Sequence, residues 1–306
     1  MPSYKNLEAD RPLPSFKNIF QWKVTDALRG RNQKHPDRIE VPRVTPDLRR
    51  LRALRDNSVT WVGHATYLVQ LAGRSILTDP VLGERIAVIP RIAPIGVEPA
   101  SMPTIDAVTI SHNHRDHLDI PSIRSLGKGP TYLVPMGLKK MFESLGMPKV
   151  IELNWWESAE VEGVTYTFVP AHHWSRRGAF DQNKTLWGGW VMRGGGRTVW
   201  HTGDTAYFGG FSEIGRRAGP IDAALLPIGA YEPRWFMKNQ HMNPDDAVKA
   251  FQDSGAHLFC AMHWGTFKLT DEPLDEPPKM LLARWEEQNL PQNRLFLAKL
   301  GESYWL

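Results

Sequence analysis

The sequence predicts an α/β (α+β) fold in which two mixed β-sheets are flanked by helices. Three observations lead there. From Val59 onward the chain is a succession of short apolar runs, each ended by Gly, Pro, His or Asp. These runs come in hairpin-like pairs with helical stretches between only some of them, so two helix-covered sheets fit better than one continuous βαβ repeat. The 306 residues are 42% hydrophobic and 23% charged, with 24 prolines and 25 glycines scattered rather than concentrated, so the chain is globular and long enough for a proper core.

Residues 1–55 are Pro-rich, charged and weakly periodic, and read as an N-terminal extension that wraps the domain or is partly disordered. Between residues 29 and 55 there are nine Lys/Arg and three Asp/Glu, a local +6 that leaves −2 for the remainder of a chain of net charge +4. Within it, "TPDLRRLRALRD" reads as a short helix with Thr45 as N-cap, Pro46 in the first turn and Leu48, Leu51 and Leu54 on one face. Its first reading is a solvated surface helix; its charge also suits anionic lipid. Residues 56–306 form the main domain. Its strands are read at "VTWVG", "TYLVQLA", "SILTDP", "IDAVTIS", "TYLVP", "VTYTFVP", "GGWVMR", "RTVWHT", "DAALLPIG", "HLFCAMH" and a closing "RLFLAKL". Helices are expected at 136–145, 244–253 and 278–288, the second capped by Asn243.

The single cysteine, Cys260, excludes an internal disulfide framework and any CxxC zinc ribbon, and is most simply a small buried hydrophobe. "MPSYKNLEADRPLPSF" lacks the apolar core of a signal peptide, and no apolar run reaches the roughly 18 residues of a spanning helix. The expectation is a cytoplasmic protein, with peripheral contact at the inner membrane surface as a further option. The basic stretch is short and lacks interleaved aromatics, so no nucleic-acid partner is expected.

Six apolar runs end in His or Asp. His64 follows "VTWVG", Asp79 follows "SILT", His112 follows "VTIS", His172 and His173 follow "TFVPA", Asp204 follows "TVWHTG", and His263 follows "LFCAM". Strands sharing one direction would bring these ends onto one rim, where residues distant in sequence become neighbours. Any one of them has a structural reading. Six together point to a site.

The densest segment is "SHNHRDHLD". Neutral imidazole and carboxylate suit zinc and related divalent ions. His112 and His114 are two residues apart, so in an extended segment they face one side and can chelate one ion. Asp116 and His117 lie where a turn aims them at a second. His173 can complete the first site, His263 the second, and Asp204 can bridge both with its two oxygens. Ions about 3.5–4 Å apart hold a hydroxide between them and polarise a phosphoryl or carbonyl oxygen.

HxHxDH with a later His, the Asp of "HTGDT" and the His of "MHWGT" resembles the metallo-β-lactamase superfamily of αββα sandwiches with binuclear zinc sites. His114 stands where redox di-iron relatives carry Glu, which favours a hydrolase. "TWVGHATYLVQ", "LTDPV", "VIELNWWE", "HHWSRRG", "NKTLWGGW", "GDTAYF", "LLPIGAYEPRWFMKNQHMNPDDAV" and "MHWGTF" are similar to the N-acylphosphatidylethanolamine-hydrolysing phospholipase D family. The resemblance runs from about residue 59 to the C-terminus. It implies two Zn2+, one held by His112, His114 and His173, the other by Asp116, His117 and His263, with Asp204 on both. Asp116, His117 and Asp204 are then the catalytic candidates. It also implies a phospholipid substrate cleaved to an N-acylethanolamine and phosphatidic acid, and a homodimer.

Tyr231, Trp235 and His241 resemble the family's substrate-facing loop. Arg115, at a variable place where relatives can carry an aromatic, would favour an anionic phosphodiester at the mouth. His64 and Asp79 are expected to orient ligands through their other ring nitrogen, and Asp119 to do the same or cap the next helix. The 12 tryptophans could line an acyl pocket, though most suit a core. Two alternatives accompany this reading. One is a related hydrolase of a sugar-phosphate lactone, cyclic phosphodiester or RNA; the other is a non-catalytic metal- or lipid-binding protein, disfavoured because structural zinc needs no open position.

Overall fold

A computed structural model of the chain describes residues 3–8, Gln21 and 39–306. The first half begins as an antiparallel meander of β1 (Ser58–Gly63), β2 (Thr66–Leu71) and β3 (Arg74–Thr78). A small ribbon follows, β4 (Arg85–Ile86) with β5 (Ile89–Pro90). Then β6 (Ala107–Thr109), β7 (Thr131–Pro135) and β8 (Val150–Leu153) add in parallel. Parallel neighbours require crossovers, which helices at Ile120–Leu126 and Lys139–Ser144 supply.

The second half repeats the plan. β9 (Ser158–Val161), β10 (Val164–Val169), β11 (Gly189–Gly194) and β12 (Arg197–His201) form a meander, and β13 (Ala223–Pro227), β14 (Leu258–Met262) and β15 (Leu295–Phe296) extend it in parallel. The last strand, β16 (Ser303–Trp305), crosses back to pair with β1. Two seven-stranded mixed sheets result.

Numbered along the chain, the helices are α1 (Leu48–Ala53), α2 (Ile120–Leu126), α3 (Lys139–Ser144), α4 (Gly210–Ala218), α5 (Arg234–Met237), α6 (Pro244–Ser254) and α7 (Glu276–Glu287). The alternation of strand residues sorts the layers. Tyr67, Val69, Ile76 and Leu133 share a buried cluster with Phe168, Trp190 and Met192 of the other sheet. Their neighbours Leu68, Leu77, Tyr132 and Val134 instead pack with Ile123 of α2 and Phe142 of α3. Phe211 of α4, Phe251 of α6 and Trp285 of α7 belong to the cluster that covers the second sheet. Side-chain bonds help to stitch the sheets together: Tyr67 Oη donates to Ala261 O (2.7 Å), and Trp190 Nε1 donates to Ile110 O (2.8 Å).

Several elements differ from expectation for identifiable reasons. The cap of α1 is Asp47, not Thr45, because the aspartate oxygen reaches the Arg50 N–H at 3.0 Å; Leu51 alone of the three leucines is buried. α3 starts at Lys139 because Met136 N is drawn to Leu153 O and Gly137 N to the Glu152 carboxylate. α7 starts earlier than expected, with Pro277 and Pro278 in a first turn where a missing N–H costs nothing. Asn243 caps α6 and Asp119 caps α2. Of "RLFLAKL" only Leu295–Phe296 joins the second sheet, Leu300 makes an isolated bridge to Arg43, and the closing strand joins the other sheet.

Residues 39–55, read as part of an extension, are packed in: Val41 and Leu51 are buried, and Val44 N donates to Leu300 O at 2.9 Å. The readings made for 9–20 and 22–38 lie outside the described residues. Among the described residues no helix is long and apolar enough to cross a membrane.

Candidate metal centre

The pairing pattern makes β1, β3 and β6 run in one direction in the first sheet, and β10, β12 and β14 in one direction in the second. His64, Asp79 and His112 leave the first set at its C-terminal ends, and His173, Asp204 and His263 leave the second. The ends meet because His263 N donates to His64 O across the sheets at 3.0 Å. Gly203, at φ +62°, permits the other junction: a Cβ there would lie 2.6 Å from Ser111 Cβ. His64, Asp79 and His263 all hold positive φ (54°, 37° and 63°), a conformation that costs non-glycine residues on the order of 1–3 kcal/mol each.

Two donor groups lie side by side. His112 Nε2 is 2.8 Å and His173 Nε2 3.2 Å from His114 Nδ1. In the second group, Asp116 Oδ2 is 3.4 Å from His263 Nε2, 3.6 Å from His117 Nε2 and 3.3 Å from His64 Nε2. Within each group the donor atoms are within 4.8 Å of one another. Asp204 joins the groups: its Oδ2 is 3.0 Å from His117 Nε2 and 4.0 Å from His173 Nε2, and its Oδ1 is 3.2 Å from His263 Nε2.

Buried hydrogen bonds decide which way the imidazole lone pairs face. Asp79, fully buried, accepts from Ser111 N (2.7 Å), Ser111 Oγ (2.5 Å) and His117 Nδ1 (2.7 Å). With its proton given to Asp79, Ser111 Oγ accepts from His112 Nδ1 at 2.9 Å. His173 Nδ1 donates to Gln240 O at 2.9 Å. With each Nδ1 bonded outward, Nε2 of all three rings faces inward, bearing a lone pair on His112 and His173 and, once a cation displaces the proton that Asp204 and Asp116 hold there, on His117. His114 can hand a proton to one neighbour at most, so lone pairs are left facing one another. A cation resolves that conflict.

Electrostatics agree. Burial holds His112 and His173 well below the usual imidazole value and His114 down at about 4, so they stay neutral donors. Burial also opposes charging at His117 and His263, but Asp204 and Asp116 outweigh it, raising His117 well above its usual value and His263 to about 9. Burial would likewise favour protonated carboxyls, yet the surrounding imidazoles, His117 foremost, hold Asp116 and Asp204 well below the ordinary carboxylate range. The buried Asp204 and the half-buried Asp116 thus demand positive charge beside the neutral nitrogens of His112, His114 and His173, a donor set for divalent cations.

An open cleft of about 380 Å³ lies over these groups. Arg115 and His241 line it, as expected, and His241 Nδ1 is 3.7 Å from Asp204 Oδ2. Tyr231 does not: it is buried, with its hydroxyl bonded to Glu276 (3.0 Å). Trp235 is also not part of the wall; its neighbours Phe236 and Met237 are, because α5 turns them inward and leaves Trp235 47% exposed. Asp79 holds the His117 ring directly and the His112 ring through Ser111. His64, expected to orient a ligand, has its Nε2 3.3 Å from the Asp116 carboxylate and lies within reach of that donor group. Trp187 and Trp190 are core, and Trp174 is the tryptophan of the cleft. Cys260 is buried within β14.

Sequence reading missed Ser111, Gln240 and Arg177. Arg177 donates to Asn113 O (3.1 Å) and Leu118 O (2.7 Å), clamping both ends of the segment that carries His114, Asp116 and His117. A polar residue directly before His112 was the one local signal for Ser111.

Two mixed sheets with helices outside and a His/Asp cluster on one rim define the architecture of a metallo-hydrolase. The chain belongs to the β-lactamase superfamily: the family profile described as "Beta-lactamase superfamily domain" matches residues 74–264. It is 40% identical over 263 residues to an uncharacterized protein of Mycobacterium tuberculosis, covering 82% of this chain and 69% of that one. It is 38% identical over 266 residues to N-acyl-phosphatidylethanolamine-hydrolyzing phospholipase D 1 of Caenorhabditis elegans, covering 79% of this chain and 74% of that one. A metal-dependent hydrolase of Methanopyrus kandleri is 31% identical over 80% of this chain and 98% of its own. In fold, the chain matches a metallo hydrolase from Ignicoccus hospitalis with a TM-score of 0.63 at 21% identity, over 82% of this chain and 98% of that one. The protein is a metal-dependent hydrolase of β-lactamase fold.

Proposed function

We propose that the protein is a binuclear zinc phosphodiesterase of phospholipase D type that hydrolyses N-acylphosphatidylethanolamine to an N-acylethanolamine and phosphatidic acid. The observation that carries this reading is the composition of the cleft. Beside the donor groups it combines an apolar wall of Trp174, Phe236, Met237 and Leu269 with the guanidinium-bearing Arg115 and Arg176. An amphiphile with an anionic phosphodiester fits that combination, and the 38% identity to the C. elegans phospholipase D supports it.

In this reading His112, His114 and His173 hold one ion, Asp116, His117 and His263 the other, and Asp204 both. Two zinc ions so held supply an ionised water near neutral pH and positive charge against a phosphoryl oxygen. The remaining work belongs to the chain. Asp79 and Ser111 keep His112 and His117 in the ligating tautomer. Arg115 pairs with the diester anion and orients it, and the apolar wall takes acyl chain and excludes water. Water's oxygen would form the new bond to phosphorus as the P–O bond to the ethanolamide breaks, and the departing oxygen would take the proton that water gives up and leave as the N-acylethanolamine hydroxyl. Phe180, 90% exposed in the loop that follows Arg177, and the exposed Trp235 are suited to dip into a lipid surface beside the cleft.

Turnover tests this. Zinc-loaded protein is expected to release phosphatidic acid from N-acylphosphatidylethanolamine in mixed micelles, with a higher kcat/KM than for a small soluble diester such as bis(p-nitrophenyl) phosphate. Hydrolysis of the small diester alone would sink the lipid assignment. Bound zinc with no hydrolysis of either would sink the phosphodiesterase.

A further inference from the structure

We infer that Asn6, in the N-terminal segment far from every motif above, positions His173 for metal binding; this rests on the metal centre proposed in the preceding section. His173 lies beyond the end of β10, so no strand neighbour takes up its backbone. Its peptide groups are bonded instead to one carboxamide: His173 N donates to Asn6 Oδ1 (3.1 Å), and Asn6 Nδ2 donates to His173 O (3.1 Å). The same Oδ1 accepts from Trp187 Nε1 at 2.9 Å. A peptide needs an acceptor for its N–H and a donor for its C=O, and among side chains of this length only asparagine offers both.

Three anchors converge on this ligand from different parts of the chain. The residue before it is tied to the Asp204 loop, with His172 N bonded to Thr205 Oγ1 (3.0 Å) and Ala206 N to His172 O (2.9 Å). The His173 ring is held by Gln240 O. Asn6 holds the His173 backbone itself, across a separation of 167 residues. The strap carrying Asn6 is secured on both sides: Tyr4 N donates to Asn183 O (2.8 Å), and Glu8 Oε1 accepts from Gly209 N (2.5 Å) at the start of α4. The family profile begins at residue 74, so this hold comes from outside the matched domain.

Partners that hold a ligand in place without touching the metal are typically worth 10–100-fold in metal affinity. The test uses the full chain with Asn6→Ala and Asn6→Asp. One readout is the chelator concentration that strips half of each zinc equivalent; the other is backbone hydrogen exchange over residues 171–176 in the metal-free protein. Asn6→Ala is expected to release one of the two zinc equivalents at about ten-fold lower chelator, with faster exchange confined to 171–176. Asn6→Asp, which keeps the acceptor and loses the donor, is expected to fall between Ala and wild type. An Ala variant equal to wild type in both readouts overturns the inference, as does exchange that quickens throughout the chain with both equivalents lost together. A wild type that binds no zinc overturns the metal centre instead, and the exchange readout still reports whether Asn6 holds His173.

Discussion

Asp204→Asn is expected to abolish nearly all hydrolysis while the protein still folds. Among the described residues Asp204 is the carboxylate that meets both donor groups, with Oδ2 toward His117 and His173 and Oδ1 toward His263. Asparagine preserves its shape but replaces one oxygen by an N–H donor that no metal accepts, and removes a negative charge that two divalent ions require. In the proposed centre two ions would lose their shared ligand, and with it the fixed spacing on which their joint action would depend. A fall in kcat/KM on the order of 10³, about 4 kcal/mol in transition-state stabilisation, is the expected outcome. The metal-free variant is expected to fold but to melt below the metal-free wild type, because the apolar clusters are untouched while the charge that Asp204 sets against His117 and His263 is lost. Full turnover in this variant would remove Asp204 from the centre.

Asp79→Asn reaches the same centre without touching an ion. Asp79 accepts three hydrogen bonds, from Ser111 N, Ser111 Oγ and His117 Nδ1. An amide offers one oxygen and two N–H groups, so at least one donor is left facing a donor. His117 escapes by moving its proton to Nε2, the nitrogen aimed at Asp116 and Asp204, and its lone pair is lost to the site. Ser111 then reorients and releases His112. Zinc affinity is expected to fall 10–100-fold, and the metal-free protein to lose about 1–3 kcal/mol for the buried group left unpaired. Metal titration and thermal unfolding of the metal-free protein measure the two effects. Unchanged zinc affinity would show that Asp79 does not set these tautomers.

How much of this was legible in the sequence follows from the range of each interaction. His112, His114, Asp116 and His117 are neighbours in the chain, so their shared chemistry could be read locally. His173, Asp204 and His263 were legible because each ends an apolar run, and the pairing of β1, β3 and β6, and of β10, β12 and β14, sends those ends to one rim. Asn6, Gln240 and Arg177 act on backbone or through backbone groups far away in sequence. No periodicity or spacing encodes a contact across 167 residues.

The errors have a common cause as well. Tyr231 and Trp235 were read as substrate-facing from their place in a motif, but a bond to Glu276 on α7 draws Tyr231 into the interior, and the four-residue turn of α5 sends Phe236 and Met237 rather than Trp235 to the cleft. Thr45 lost the cap of α1 to Asp47, a choice between two good acceptors two residues apart. "RLFLAKL" is apolar from Leu295 to Ala298, so nothing local showed that the chain leaves the second sheet after Phe296 and joins the other at Ser303.

The most direct measurement is anomalous diffraction at the zinc edge from crystals of the zinc-loaded protein. The account predicts two peaks about 3.5–4 Å apart, one among His112, His114 and His173, the other among Asp116, His117 and His263, with Asp204 between them. A single peak, or zinc bound away from these residues, would contradict it.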